Sequence, residues 1–271
     1  MKKKGAALVS IIISYFNDGN YIEEAIKSCQ KQTYREIEII IIDDGTFESS
    51  SIQQLERMKI KYPQITYIRT SNRGISAARN AGVKRSKGIY ICCLDSDDFI
   101  LPEYINESVK ILNKDQRVAF AATWIKLCGK KHETLKPEEN NIAKLLSSNL
   151  ISSGSVYRKS VWEEVGGYST SMESYEDWDF WIRIVAAGRQ WKVIKKPLYM
   201  YRIHNDSRSY RMKNNRYKYL RTLIKRNKNI FQDNMIDLIV HLHRYNDRLL
   251  NTKAWRFFDK LRLLRNWFTR K

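Results

Sequence analysis

Short, almost continuously apolar segments rich in β-branched residues alternate with helical stretches in the N-terminal part of the chain. The strand-like segments are Leu8–Tyr15, Glu36–Ile42, Ile65–Arg69 and Ile89–Leu94. Apolar runs of this kind are typical of strands buried on both faces of a parallel sheet. Strands that alternate with helices favour right-handed crossovers between parallel neighbours. The sequence therefore predicts an α/β fold built on a doubly wound, mostly parallel sheet.

Polar residues follow three of these strands directly. The first strand ends in Ser14–Asp18, the second in Asp43–Thr46 and the fourth in Asp95–Asp98. Ligands of open α/β sheets bind in the crevice at the carboxyl ends of the strands. We therefore expect the three polar segments to meet in one crevice, which is the candidate ligand site.

Asp95 and Asp97 flank Ser96 immediately after the fourth apolar segment. Two carboxylates at a ligand-binding edge suit a hard divalent cation, because Mg²⁺ and Mn²⁺ favour carboxylate and phosphate oxygens. The alternative is an ordinary polar loop in which Asp98 caps the next helix.

Two further motifs have both a structural and a functional interpretation. Asp43-Asp44-Gly45 is a good turn sequence, but a carboxylate there could also accept a hydrogen bond from a nucleobase. The segment Asn72–Gly82 is rich in small residues and carries Arg73 and Arg79. It predicts either an ordinary tightly packed helix or a helix whose N-terminus and guanidinium groups face phosphate.

Glu176 and Asp177 open a predicted helix, Glu176–Ala187, and are followed by Trp178. Acidic residues suit helix N-termini for purely structural reasons. A carboxylate beside aromatic side chains could instead be desolvated enough to act as a general base. His204 also has two interpretations, as a structural histidine or as a ligand.

In this order and spacing, the motifs resemble those of the family 2 glycosyltransferases of the GT-A fold. The resemblance spans Val9 to about Ser207 and implies inverting transfer of a sugar from a nucleotide donor, usually UDP-linked, with Mn²⁺ or Mg²⁺. The motifs that carry it are V-S-I-I-I-S-Y-F-N from Val9, D-D-G from Asp43, N-R-G-I-S-A-A-R-N from Asn72, D-S-D-D from Asp95, E-D from Glu176 and R-I-H from Arg202.

The resemblance also implies a role for each matching residue. The nucleotide-sugar site would consist of Asp44 at the base, Ser14 and Phe16 around the nucleoside, Arg73 or Arg79 assisting, and Asp95 with Ser96 near the ribose. Asp97 would bind the metal ion, with support from His204. Asp177 would be the catalytic base.

The sequence departs from the family pattern in two places. D-D-G is followed by Thr46-Phe47-Glu48 instead of the more usual Ser-Thr-Asp, which puts one contact near the diphosphate in doubt. The Q-x-x-R-W signature of processive polysaccharide synthases is missing, and only Arg189-Gln190-Trp191 resembles it. Non-processive transfer of a single sugar is the resulting prediction.

The C-terminal part of the chain is strongly basic. The formal net charge is +20, and the segment from Arg202 to Lys271 holds most of it. Lys and Arg flank an apolar stripe with helical spacing, which suits a lipid headgroup layer, whereas the alternative is a helix packed on the catalytic domain. We therefore predict a catalytic domain over residues 1–207 and a basic helical extension over 208–271. The stripe consists of Leu250, Ala254, Phe257, Leu261, Leu264 and Phe268.

The chain is therefore predicted to be a cytoplasmic glycosyltransferase, peripheral on the inner face of the cytoplasmic membrane. Its four cysteines form no C-x-x-C pair, which fits a reducing compartment. The acceptor would be a glycan or lipid-linked hydroxyl in the synthesis of a surface polysaccharide such as lipopolysaccharide or capsule. The alternative is a non-catalytic basic protein that binds membranes or nucleic acid. No RNA-recognition or helix-turn-helix pattern is present, so no nucleic acid partner is expected.

Overall fold

The computed structural model describes residues 6–204, 213–252 and 255. The chain divides into two compact units. The first comprises Met1–Asn140 and Asn149–Lys228, and the second comprises Asn141–Ser148 and Asn229–Lys271. The predicted domain boundary between residues 207 and 208 lies outside the described residues and stays a prediction.

Strands and helices alternate through the first part of the first unit, as predicted. In chain order these elements are β1 (Val9–Tyr15), α1 (Ile22–Gln30), β2 (Ile37–Asp43), α2 (Ser49–Lys61), β3 (Thr66–Arg69), α3 (Ile75–Arg85), β4 (Tyr90–Asp95), β5 (Phe99–Ile100) and α4 (Tyr104–Lys114).

The remaining described elements include two long strands and several short helices. They are β6 (Val118–Gly129), β7 (Thr134–Leu135), α5 (Ile142–Ser147), β8 (Val156–Arg158), α6 (Lys159–Glu164), α7 (Glu176–Ala186), β9 (Gln190–Ile203), a 3₁₀ turn (Lys213–Asn215), α8 (Arg216–Arg226), α9 (Lys228–Asp233) and α10 (Met235–Leu250).

All of these strands belong to one mixed sheet with the order β3-β2-β1-β4-β8-β6-β9-β5, and β7 pairs with β6. The strands β1 to β4 are mutually parallel, and the long pairing of β6 with β9 is also parallel. The antiparallel pairings are short and involve β5, β7 and β8. The predicted doubly wound, mostly parallel sheet is therefore confirmed.

The centre of the core is β1, which is buried along its whole length. Helix α3 packs closely on this strand because its contact face carries small residues. A Cβ atom added at Gly82 would lie 2.4 Å from Cγ2 of Ile12, closer than any side chain tolerates. The close packing fixes α3 against the sheet and, with it, the position of the loop that precedes the helix.

The C-terminal helices belong to different units. Helix α8 lies in the first unit, where the Nδ2 atom of Asn227 donates to Oδ1 of the buried Asp179 at 2.9 Å. Helix α10 belongs to the second unit and has no buried residue. The predicted apolar stripe lies outside the described residues apart from its first member, Leu250, which is exposed. Among the described residues, no helix is both long and apolar enough to cross a membrane.

Candidate active site

The polar ends of β1, β2 and β4 meet at one edge of the sheet, as the sequence predicts. The strand register pairs Ser14 with Asp95 and Tyr15 with Asp43. The Oγ atom of Ser96 then donates a hydrogen bond to Oδ2 of Asp18 at 2.8 Å. This bond joins the segment after β4 to the segment after β1, so the two segments line the same crevice.

Two exposed aromatic rings lie beside each other at this edge. Asn17 adopts a left-handed backbone conformation with φ of 51°, which suits Asn better than most residues. Its Oδ1 atom accepts hydrogen bonds from the backbone N–H of Phe47 and Glu48 at 3.0 and 3.2 Å. Phe16 and Phe47 thereby meet edge to face at 5.8 Å, and they are 40% and 69% exposed.

This aromatic pair offers a surface on which a planar base can stack. The sequence predicts a role for Phe16 but not for Phe47. The available signal is the position of Phe47 directly after D-D-G-T, since both rings then follow strands that end at the same edge.

Asp44 shapes the loop that leads into α3. Its Oδ1 accepts from the hydroxyl of Thr70 and from the N–H of Arg73, and its Oδ2 accepts from the N–H of Gly74 at 2.8 Å. A carboxylate offers about four lone-pair positions, so one more donor can be accommodated. The predicted contact with a nucleobase is not tested by this arrangement and stays a prediction.

The structure places Arg79 differently from the expectation that it faces a nucleotide. Its side chain is 1% exposed, and its guanidinium bridges Oδ1 of Asp95 at 2.7 Å and Oε1 of Glu176 at 3.0 Å. Burial of a charge is favourable only when partners of this kind compensate it. Arg79 therefore connects two carboxylates inside the protein, whereas the side chain of Arg73 is exposed at the edge of the crevice.

Asp95 is held from two sides. Beside its ion pair with Arg79, its Oδ2 atom accepts from the hydroxyl of Ser153 at 3.1 Å. Its register partner Ser14 is buried, and the Oγ atom of Ser14 has no hydrogen-bond partner within the described part of the chain. A buried hydroxyl without a partner is costly, and the role predicted for Ser14 beside the nucleoside stays a prediction.

Asp97 and His204 are brought together, although 107 positions separate them in the chain. Oδ2 of Asp97 lies 2.9 Å from Nε2 of His204. The end of β9 is fixed by Asp98, which accepts from the hydroxyl of Tyr199 at 2.6 Å and from the N–H of Arg202 at 2.8 Å. These bonds hold the backbone close to His204 against the segment that follows β4.

The donor set around Asp97 fits a divalent cation that also binds phosphate. Burial and the nearby charge of Asp95 raise the pKa of Asp97 to about 6, a crowding of negative charge that a cation would relieve. Within the described residues no group of three or more candidate ligands is assembled. Mg²⁺ is commonly held by one or two protein carboxylates together with substrate phosphates, and the predicted metal-binding role of Asp97 and His204 stays a prediction.

Asp177 lies in the first turn of α7 and is partly exposed. Nδ2 of Asn149 donates to both of its carboxylate oxygens at 3.2 and 3.3 Å, and the N–H of Trp178 donates to Oδ1 at 2.8 Å. Burial and, second, the negative charge of Glu176 raise the pKa of Asp177 to about 6. The carboxylate is therefore a stronger base than an ordinary aspartate. The sequence does not predict Asn149, because it lies between regular elements.

The chain is similar in sequence to known glycosyltransferases. The model of glycosyl transferase family 2 matches residues 10–166. An uncharacterized glycosyltransferase of Rickettsia conorii is 34% identical over 190 residues, which is 65% of this chain and 31% of that protein. The chondroitin synthase of Escherichia coli is 27% identical over 210 residues, covering 76% of this chain and 30% of the synthase. The chain belongs to glycosyl transferase family 2.

Solved structures agree on the fold. The crystal structure of Staphylococcus aureus TarS in complex with UDP-GlcNAc superposes with a TM-score of 0.61 and 20% sequence identity. The match covers 74% of this chain and 60% of that one. The predicted GT-A fold is thereby confirmed. The chain spans about a third of the length of the two curated relatives described above.

Proposed function

We propose that this glycosyltransferase moves one sugar from a UDP-sugar to an acceptor hydroxyl with inversion at the anomeric carbon. The observation that carries the proposal is Asp177, a partly exposed carboxylate of raised pKa. It directly follows Glu176, which Arg79 joins to Asp95 at the end of β4. A UDP donor is supported by the similarity to TarS, whose structure was solved with UDP-GlcNAc.

In the proposed reaction, Asp177 accepts the proton of the acceptor hydroxyl. The acceptor oxygen forms a bond to the anomeric carbon on the face opposite the diphosphate. The bond between that carbon and the diphosphate oxygen breaks, and UDP leaves with the electron pair. A single displacement of this kind inverts the configuration and requires no covalent intermediate with the enzyme.

On the donor side, the proposal assigns the nucleoside to the edge formed by β1 and β2. Phe16 and Phe47 would contact the base, and Asp44 would accept a hydrogen bond from an N–H group of the base. The guanidinium of Arg73 would be available to bind phosphate. The ribose would lie beside Ser14, Asp95 and Ser96, where β1 and β4 end. Asp97 and His204 would hold Mn²⁺ or Mg²⁺, which would neutralise negative charge on the diphosphate when bound.

We further propose a lipid-linked or glycan acceptor in surface-polysaccharide synthesis and a peripheral position on the inner face of the cytoplasmic membrane. Helix α10 supports this part of the proposal, because Met235, Ile236 and Tyr245 are all more than half exposed. These exposed apolar residues belong to the basic part of the sequence from Arg202 to Lys271, and this combination suits an anionic lipid surface. Sedimentation with vesicles of anionic and of neutral phospholipid tests this part of the proposal. Absence of the protein from both vesicle pellets would contradict it.

The donor proposal is tested by calorimetric titration with UDP, GDP and dTDP, each with and without Mn²⁺. We expect metal-dependent binding of UDP that is lost in Asp97→Ala. Binding of a different nucleotide alone would change the donor class. Absence of all nucleotide binding in a folded sample would favour the non-catalytic alternative.

The raised pKa of Asp177 predicts the acid limb of the pH profile. The base is active only as the carboxylate, so protonation below pH about 6 lowers the rate about tenfold per pH unit. An aspartate with an ordinary pKa would remain active down to about pH 4. The charged groups that act on Asp177 are Glu176 and Arg79. The measurement is kcat at saturating donor and metal, and an acid limb near pH 4 would contradict the assignment.

The exposed aromatic pair predicts a loss of nucleotide affinity. Stacking of a base on an aromatic side chain contributes about 1–3 kcal/mol, so Phe16→Ala should weaken UDP binding by about 5- to 150-fold, and Phe47→Ala should also weaken it. Ile60→Ala is a suitable control, since Ile60 is a highly exposed apolar residue on α2. Calorimetry gives the dissociation constants, and unchanged affinity in both Phe variants would remove the stacking surface from the donor site.

A further inference from the structure

A buried bridge connects the donor-side edge of the sheet to the helix that carries the base. Arg79 of α3 binds Asp95 at the end of β4 with one guanidinium nitrogen and Glu176 at the start of α7 with the other. The side chains of Arg79 and Glu176 are 1% and 5% exposed. Glu176 comes immediately before Asp177, so the bridge ends one residue away from the proposed base.

The start of α7 is strained at the residue that precedes this bridge. Tyr175 adopts a left-handed conformation with φ of 62°, which is unusual for an aromatic residue and costs on the order of 1–3 kcal/mol. Its side chain forms no capping hydrogen bond to the helix. A strained conformation persists only where surrounding contacts determine it, and the Glu176–Arg79 ion pair is such a contact.

We propose that Glu176 is a positioning residue for Asp177. Through Arg79 it locks the first turn of α7 to Asp95, so that the base keeps a fixed place relative to the donor-side carboxylate. Because reacting atoms must be held near their attack geometry, a displacement of about 1 Å can cost a hundredfold in rate. The inference rests on the proposed function, since it takes Asp177 as the base.

Glu176 also acts on Asp177 through its charge. Its carboxylate is the second cause, after burial, of the raised pKa of Asp177, whereas Arg79 acts in the opposite direction. The length of the Glu176 side chain and its charge can be changed separately. Glu176→Asp keeps the charge but shortens the side chain by one methylene, and Glu176→Gln keeps the length and an oxygen that can accept from Arg79 but removes the charge.

The test is the pH dependence of kcat for these two variants, measured at saturating donor and metal and well below the melting temperature of each. We expect Glu176→Asp to lose about 10- to 100-fold in kcat with an acid limb still near pH 6. We expect Glu176→Gln to keep most of its kcat at high pH while its acid limb moves about one unit lower. A residue that only stabilised the fold would change neither quantity.

The matched controls are Glu163→Asp and Glu163→Gln, because Glu163 is an exposed glutamate on α6. Both should leave kcat and the acid limb unchanged. Wild-type kcat in Glu176→Asp, or an unmoved acid limb in Glu176→Gln, would overturn the inference while leaving the proposed function intact. Absence of sugar transfer by the unaltered protein with every UDP-sugar would overturn both.

Discussion

Asp177→Asn is expected to abolish most transfer while leaving donor binding nearly unchanged. The amide cannot accept the proton of the acceptor hydroxyl, and the loss of a general base costs about 10²- to 10⁴-fold in rate. The substitution changes the shape of the side chain little, and the hydrogen-bond partners of Asp177 described above, Asn149 and the N–H of Trp178, are not assigned to the donor site. We therefore expect kcat to fall by this factor and the dissociation constant of UDP to stay within about threefold of the wild-type value.

The measurement combines UDP release in the presence of acceptor with calorimetric titration of UDP. Asp233→Asn is the matched control, because Asp233 is an exposed aspartate in the second unit and should retain full activity. Transfer by Asp177→Asn at the wild-type rate would refute its assignment as base. A joint loss of UDP binding and transfer would instead indicate that Asp177 belongs to the donor site.

The central sheet could be predicted from the sequence because its signals are local and strong. The four N-terminal strands lie within one residue of the predicted bounds, since short and largely apolar runs specify the strands of a parallel sheet. Their register then follows from burial, and it brings Ser14 beside Asp95 at the edge where the polar segments were expected to meet. Short elements such as α6 and β8 lack a full helical or strand period, so their bounds could not be predicted in the same way.

The direction of individual side chains was harder to predict. Arg79 shares one face of α3 with Ser76, Gly82 and Val83, all buried. A charged residue on a face of small and apolar residues indicates a buried ion pair, and this signal was present in the sequence. The identity of its partner could not be predicted, because Glu176 lies 97 positions away and only the fold brings it close to Arg79. The same holds for Asn149 beside Asp177, whereas the family resemblance already implied that His204 lies near Asp97.

Removal of the buried guanidinium by Arg79→Met is expected to cause a large loss of stability. It leaves the carboxylate of Glu176, whose side chain is 5% exposed, without its cationic partner, whereas the side chain of Asp95 is 26% exposed and can be hydrated. Breaking a buried ion pair from one side costs about 3–5 kcal/mol. For a chain of this length we expect the melting temperature to fall by about 6–20 °C.

A double-mutant cycle shows whether the orphaned charge is the cause. Adding Glu176→Gln to Arg79→Met removes the uncompensated carboxylate. The free energy of unfolding of the double variant should therefore be larger than that of Arg79→Met alone. Arg57→Met is the control, because Arg57 is exposed on α2 and its replacement should change stability by no more than about 0.5 kcal/mol. Denaturant unfolding of the wild type, Arg79→Met, Glu176→Gln and the double variant gives the coupling energy. If the two substitutions were additive, the ion pair would not connect α3 to α7 energetically, and the bridge would contribute only through packing.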